Sequence, residues 1–200
     1  MVDLEPGLIS DLLRQSMEEG KAPYLNVISD SMSPLIVSGD QVQISSASHD
    51  SLNVGDVVVV QGSKELLTHR FWDLITVDHK VQIITKGDRP QHFDHPHDAG
   101  TLVGLVTARR RNQRLMDFTQ GAGKWLNRRL ITLARLDYQL FSTSVPSTSK
   151  TDGVAMTRDG MFALTSRENF GHLMIRRTIY GFAKLLTVLV QKLDQPVEES

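Results

Sequence analysis

A serine lies in a short turn-like segment near the beginning of the chain. The segment is SDSMSPLIVSGD, residues 29–40, in which Ser31 is followed by Met32, a proline two residues later and then a Gly-Asp turn. A free serine hydroxyl is a poor nucleophile at neutral pH, so attack on a carbonyl requires a nearby base and donors for the developing oxyanion. Ser31 therefore predicts acyl-transfer chemistry if the chain supplies those partners. The alternative is a turn serine that caps a backbone N–H.

Histidine and lysine side chains are the candidates for the base. His69 lies at the end of the apolar run ELLTHRFW, and a base on a strand is held more rigidly than a base on a loop. We therefore expect His69 to be the base, with a strand histidine paired to a carboxylate as the alternative. Lys86 is a second candidate, although its place beside a turn better fits a surface or backbone-bracing role. The remaining candidates are His49, His79, His92, His95, His97, Lys64 and Lys80.

A carboxylate beside a histidine selects its tautomer and stabilises the imidazolium that forms during attack. The segment IITKGDRPQHFD, residues 83–94, begins as a strand and turns at Gly87 and Asp88. This turn could direct the Asp88 carboxylate back towards the sheet. Arg70, next to His69, is expected to be structural and to pair with an acid between Asp73 and Asp98.

Four motifs in this order resemble the signal peptidase I superfamily. They are SMSP followed by GD, then GDVVVV, then THR, then TKGD with a second aspartate six residues later. The resemblance covers roughly residues 26–106 and is closest to the branch that uses serine and histidine. The family implies a β-rich fold, no metal or other cofactor, and cleavage of an extended peptide after small residues.

The resemblance also implies roles for individual residues. Ser31 matches the nucleophile and His69 the general base, at the position where bacterial members place lysine. Asp88 and Asp94 match the two family aspartates, and Asp88 is the preferred third member of the site. The backbone N–H of Ser31 and a donor near position 29 would form the oxyanion hole. Family members carry a transmembrane helix before the serine motif, whereas LISDLLRQSMEEGK is polar here, which predicts a relative without that anchor.

Two other kinds of site have weaker support from the sequence. The run HFDHPHD, residues 92–98, offers imidazole and carboxylate ligands, but zinc sites usually take ligands held at rigid spacing. A solvated loop is the preferred interpretation. The basic stretch from Arg109 to Arg129 could bind phosphates, yet few aromatic residues are interleaved and no nucleic-acid motif is present. Nucleic acid is therefore not an expected partner.

The distribution of charged residues divides the chain into segments. Residues 1–100 contain 7 Lys and Arg against 15 Asp and Glu, whereas residues 101–141 contain 8 against 2. The chain has 200 residues and no cysteine, so disulfides and thiolate metal sites are excluded. This asymmetry within a near-neutral chain suggests two modules with different surfaces.

The elements that would position the site follow from periodicity. Residues 1–23 contain apolar residues at helical spacing, and residues 24–109 contain many short Val- and Ile-rich runs, among them ELLTHRFW and LITV as two separate runs. We predict an N-terminal helix, then a mainly β domain built as a coiled sheet or partial barrel. Residues 110–200 are predicted to be a helical extension with a polar linker at 142–153. Its helices are expected at 125–141 and at about 168–193.

The predicted function is therefore that of a signal-peptidase-like serine endopeptidase acting on a peptide or preprotein. An inactive peptide-binding module of the same fold, acting with a partner protein, is the alternative. The C-terminal amphipathic helices suit an anionic membrane surface, and they suit packing on the β domain or a partner equally well. No signal peptide or convincing transmembrane helix is predicted, so a cytoplasmic or peripherally membrane-associated location is expected.

Overall fold

The computed structural model describes residues 6–90, 93–141, 170–192 and 195–196. The long helices are α1 (Pro6–Glu18), α2 (Gly121–Phe141) and α3 (Phe170–Gln191). All three predicted helices are confirmed, and α2 begins four residues before its predicted start. The predicted linker at 142–153 lies outside the described residues.

Most strands lie in the predicted region 24–109, but the short strands Arg114–Asp117 and Gln195–Pro196 lie in the segment predicted to be a helical extension. Two runs that the sequence suggested as separate strands, ELLTHRFW and LITV, form one long strand, β4. The strands are β1 (Tyr24–Asn26), β2 (Gln41–Ser45), β3 (Val57–Gln61), β4 (Leu66–Val77), β5 (Lys80–Lys86), β6 (His97–Asp98), β7 (Leu102–Arg111), β8 (Arg114–Asp117) and β9 (Gln195–Pro196).

All strand pairs are antiparallel, and the sheet curls into a half-barrel in the order β1-β2-β7-β3-β4-β5-β6. Strand β8 pairs with β7 and with β9. Irregularities in register lie between β2 and β7, between β3 and β7, and between β4 and β5. Such bulges bend a strand and increase its twist, which helps the sheet to curl. The prediction of a coiled sheet is thus confirmed, although the helices make the whole a mixed α/β fold rather than a mainly β one.

Strand β3 explains why the VVVV run is continuous rather than alternating. Val57 and Val59 belong to one apolar cluster and Val58 and Val60 to another, so both faces of the strand are buried. A strand covered on both sides needs apolar residues at every position. The centre of the sheet is therefore a rigid support for β4, its direct neighbour.

The helices cover one side of the sheet. Leu13 and Met17 of α1 and Leu126 and Leu130 of α2 are buried in the same cluster as Val57 and Val59. Helix α3 packs on α2 and contributes Ala183 and Val190 to that cluster. Asp137 of α2 and Arg176 of α3 also form a double ion pair, with both N–O distances 3.0 Å.

Helix α3 leaves part of its apolar surface exposed. Phe182, Leu185 and Leu189 are each about half exposed, with Lys184 and Lys192 beside them. Among the described helices, none is both long and apolar enough to cross a membrane. Peripheral membrane contact through the C-terminal helices stays a prediction.

Candidate active site

Three of the residues singled out in the sequence form a continuous hydrogen-bonded chain. His69 Nε2 lies 2.9 Å from Ser31 Oγ, and His69 Nδ1 lies 2.5 Å from Asp94 Oδ2. His69 is buried, with 6% of its surface exposed, and Ser31 is partly exposed. A hydroxyl, an imidazole and a carboxylate are thus arranged so that a proton can pass from the serine to the histidine while the carboxylate holds the ring.

The other family-matched aspartate is placed elsewhere. Asp88 accepts two hydrogen bonds from Arg70, at 2.6 Å from Nε and 2.7 Å from Nη2. Successive side chains of a strand point to opposite faces, so Arg70 and His69 turn away from each other. The preference for Asp88 as the carboxylate that orients His69 is therefore wrong, and Asp94 contacts His69 instead. The expectation that Arg70 pairs with an acid between residues 73 and 98 is confirmed.

Thr85 fixes the position of Asp94. Its hydroxyl donates to Asp94 Oδ2 at 2.6 Å, and its carbonyl oxygen accepts from the backbone N–H of Asp94 at 2.9 Å. Thr85 itself is completely buried near the end of β5. The carboxylate oxygen that faces His69 therefore also accepts a hydrogen bond from Thr85, which holds the carboxylate in place. Sequence reasoning missed this role, although Thr85 opens the TKGD motif.

An aromatic cluster supports the segment that carries Asp94. Phe93 packs edge-on against Trp72 and Tyr138, with ring centroids 5.3 and 5.4 Å apart. Trp72 is the extra residue at the bulge between β4 and β5, where Phe71 pairs with Thr85 and Asp73 with Ile84. Bulges can redirect a side chain, and here the bulged residue meets a ring from α2. The helical segment thus contributes to the site through the residue next to Asp94.

The loop that carries Ser31 is tied down at several points. Met32, Leu35 and Ile36 are buried in the main core. At the end of the loop, Asp40 accepts two hydrogen bonds from Arg111, both at 2.6 Å, and one from the backbone N–H of Val37 at 2.8 Å. The Gly-Asp turn noted in the sequence therefore locks the far end of the nucleophile loop onto β7.

Gly87 allows a second loop to approach Ser31 closely. A Cβ at this position would lie 2.8 Å from the carbonyl oxygen of Ser31 and 2.7 Å from Pro90 Cδ. The same carbonyl oxygen accepts a hydrogen bond from the backbone N–H of Arg89 at 2.9 Å. The Gly87–Pro90 turn thus holds the backbone of Ser31, and only glycine leaves room for this approach.

A narrow cleft of about 60 Å³ opens beside the nucleophile. Ser31, Met32, His69 and residues 26–29 and 65–68 contribute to its lining. Ser29 Oγ lies 3.3 Å from Ser31 Oγ, so position 29 carries a hydroxyl next to the reacting atom. Within the described residues, no strand pairs with Leu66–His69 on the side opposite β3, so β4 offers a free backbone edge here.

Among the described residues, the other candidate bases form no hydrogen bond with Ser31, His69 or Asp94. Lys86 is buried rather than on the surface, and its ammonium group donates to the carbonyl of Gly87 at 3.3 Å. Burial lowers the pKa of Lys86, while the charges of Asp88 and Asp137 oppose that shift in part. The charges of Arg176 and Arg70 lower it further.

Of the HFDHPHD run, residue 92 lies outside the described residues. Among the residues that are described, no group of three or more potential ligands could hold a metal ion. Burial lowers the pKa of His97, and the nearby Asp94 carboxylate opposes this shift in part. The charges of His69 and His95 lower it further. A neutral His97 therefore adds no positive charge beside the Asp94–His69 pair.

No protein-family model matches this chain, and no curated protein matches it. The resemblance to the signal peptidase I superfamily therefore depends on the four motifs in order, and the site depends on its own geometry.

Proposed function

We propose that this protein is a serine endopeptidase, similar to signal peptidase I, that hydrolyses an extended peptide. The observation that carries the proposal is the relay from Ser31 Oγ through His69 to Asp94, with distances of 2.9 and 2.5 Å. The 2.9 Å distance between Ser31 Oγ and His69 Nε2 is within the range at which a base can accept a hydroxyl proton. The relay assembles residues from three separate parts of the chain on a rigid sheet.

The proposed reaction proceeds in two stages. His69 Nε2 accepts the hydroxyl proton as Ser31 Oγ attacks the peptide carbonyl carbon, and Asp94 stabilises the resulting imidazolium. The Ser31 N–H and the Ser29 hydroxyl would donate to the oxyanion. The tetrahedral intermediate then collapses, His69 gives its proton to the leaving amine, and an acyl-enzyme remains. A water molecule, deprotonated by His69, attacks the ester and releases the acid and the free Ser31 hydroxyl.

The shape of the cleft supports a particular substrate geometry. A peptide could add as a strand to the free edge of Leu66–His69, with its scissile carbonyl beside Ser31. The cleft volume of about 60 Å³ suits a small side chain. This agrees with the preference for small residues that the family resemblance implies.

The test is covalent labelling with a fluorophosphonate, which reacts with activated serines. Wild type is expected to label at Ser31 at neutral pH, and Ser31→Ala is expected not to label. Ser33→Ala is the matched control, because Ser33 belongs to the same loop but its hydroxyl contacts Tyr180 at 3.0 Å. Absence of labelling in a correctly folded wild-type protein would contradict the proposal.

The free edge of β4 equally favours a second candidate, a peptide-binding module without turnover. The two are separated by incubating the protein with a mixture of extended peptides and examining the peptides by mass spectrometry. Peptides that bind wild type and Ser31→Ala equally, with no cleavage product from wild type, would favour the module. Products that appear with wild type and disappear with Ser31→Ala would favour the peptidase.

A further inference from the structure

A second cavity, of about 330 Å³, lies between the two C-terminal helices and the turn after β5. Leu130, Leu133 and Ala134 of α2 and Ile179 and Ala183 of α3 line its apolar part. Lys86, Arg89 and Arg177 also line it and make one region of the wall basic. Ligand sites usually measure about 300 to 1,000 Å³ and combine an apolar lining with a few polar groups, and this cavity fits that description for a small ligand.

Lys86 is the unusual member of this lining. Only 4% of its surface is exposed, and a buried ammonium is costly unless it is paired and hydrogen-bonded. Within the described part of the chain, its one hydrogen bond goes to the neighbouring Gly87 carbonyl at 3.3 Å, and no carboxylate lies within ion-pair distance. The lowered pKa of Lys86 agrees with a charge that is incompletely compensated.

Two carboxylates are among the described residues that line the cavity, and both are already engaged. Asp88 accepts hydrogen bonds from Nε and Nη2 of Arg70, at 2.6 and 2.7 Å. Asp137 is held by Arg176 through two contacts of 3.0 Å. Since each acid is matched by an arginine, the additional charges of Lys86, Arg89 and Arg177 leave the lining with an excess of positive charge.

We propose that this cavity binds a small carboxylate with an apolar body, whose acid group pairs with Lys86 and whose apolar part lies against Leu130, Leu133 and Ile179. An apolar body suits the aliphatic part of the wall, and a single negative charge would compensate the buried ammonium. This site is separate from the cleft beside Ser31, so the proposal does not depend on peptidase activity. The two sites share a border, because Pro34 of the nucleophile loop and Arg89, which bonds to Ser31, also line the cavity.

Octanoate and 1-octanol are suitable probes, since they differ in the acid group but have the same chain length. We expect NMR titration of the full chain to show saturable binding of one octanoate, at least tenfold tighter than 1-octanol. Lys86→Met is expected to abolish this preference, while Ser31→Ala keeps it. No saturable octanoate binding to wild type, or the same preference in folded Lys86→Met, would overturn the proposal.

Two further variants test whether octanoate lies inside the cavity. Gly181 lines the cavity and has no atom within 4 Å of a built Cβ, so Gly181→Leu should fold and occupy part of the space. We expect Gly181→Leu to weaken octanoate binding at least tenfold, and unchanged affinity would overturn the proposal. This variant tests the proposal even if Lys86→Met does not fold. Leu185→Ser changes the exposed face of α3 and should leave the affinity unchanged. A tenfold loss there would show that octanoate binds the outer face and would refute the cavity site.

Discussion

Replacing the two aspartates separately distinguishes the carboxylate that assists chemistry from the one that supports the fold. Asp94→Asn keeps the size of the side chain but removes the charge that faces His69 Nδ1 at 2.5 Å. An amide at this position can also present its NH₂ group to the ring and favour the wrong tautomer. Asp88→Asn instead weakens the double contact with Arg70, whose side chain is fully buried.

The two substitutions are expected to change different quantities: Asp94→Asn the labelling rate, and Asp88→Asn the free energy of unfolding. In serine proteases, loss of the carboxylate that orients the catalytic histidine lowers kcat by about 10⁴, which corresponds to roughly 5 kcal/mol in the activation barrier. We therefore expect Asp94→Asn to slow fluorophosphonate labelling by about 10³ to 10⁴, with little loss of stability because that carboxylate is partly exposed. Breaking a buried ion pair costs about 3 to 5 kcal/mol, so Asp88→Asn should lower the free energy of unfolding by an amount of that order.

The labelling rate and the free energy of unfolding can both be measured on wild type, Asp94→Asn and Asp88→Asn. Labelling rates are followed by intact-protein mass spectrometry, and free energies of unfolding come from urea titrations of each variant. Labelling of Asp88→Asn should be compared under conditions in which the variant is fully folded. Folded Asp88→Asn is expected to label at a rate within about tenfold of wild type, because Asp88 contacts Arg70 rather than His69. A tenfold change in rate corresponds to ~1.4 kcal/mol in the activation barrier.

The opposite pattern of labelling rates would exclude Asp94 as the carboxylate that assists His69. If Asp94→Asn labels within threefold of wild type while folded Asp88→Asn does not label, the Ser31–His69–Asp94 relay is not the one that activates the serine. Loss of labelling in both folded variants would show that the Arg70–Asp88 pair also acts on the reacting group, and the division of roles between the two aspartates would fail.

Three further variants probe the supports of the site. Thr85→Val removes the hydroxyl that donates to Asp94 Oδ2. Labelling should slow about tenfold, which is the effect expected for a lost hydrogen bond to a charged group. A change below twofold would exclude a positioning role for Thr85. Gly87→Ala forces a Cβ to within 2.8 Å of the Ser31 carbonyl, so labelling should fall at least tenfold, and wild-type labelling would show that the turn yields without moving Ser31. Because burial lowers the pKa of Lys86 in the folded state, the unfolded chain binds more protons between that pKa and about 10.5, and wild-type stability should rise with pH across this window. Lys86→Met should be more stable than wild type at neutral pH and lose that advantage as the pH approaches 10.5 in urea titrations; a constant difference at every pH would contradict the assignment.

Much of the architecture was accessible from sequence because local patterns fix it. Short Val- and Ile-rich runs predicted the strands, and apolar residues at helical spacing predicted α1, α2 and α3. The continuity of β4 was missed, because the bulge at Trp72 shifts the alternation and makes one strand read as two. The contact between Phe93 of the site and Tyr138 of α2 joins residues 45 positions apart in the chain, and no local pattern reveals it.

The roles of Asp88 and Asp94 could be predicted from the sequence only in part. His69 and Arg70 are consecutive on β4, so their side chains take opposite faces, and each needs its own acid. Lys86 pairs with Arg70 across the sheet, and the chain leaving β5 therefore brings Asp88 to the face of Arg70 first. Asp94 lies on the other face, where Thr85 bonds to both its backbone and its side chain. Alternation along β4 could thus have assigned one acid to each residue, but the return of the loop to Thr85 requires the folded structure. One face of β4 thereby carries the Arg70–Asp88 ion pair, and the opposite face carries His69, the base in the proposed reaction of Ser31.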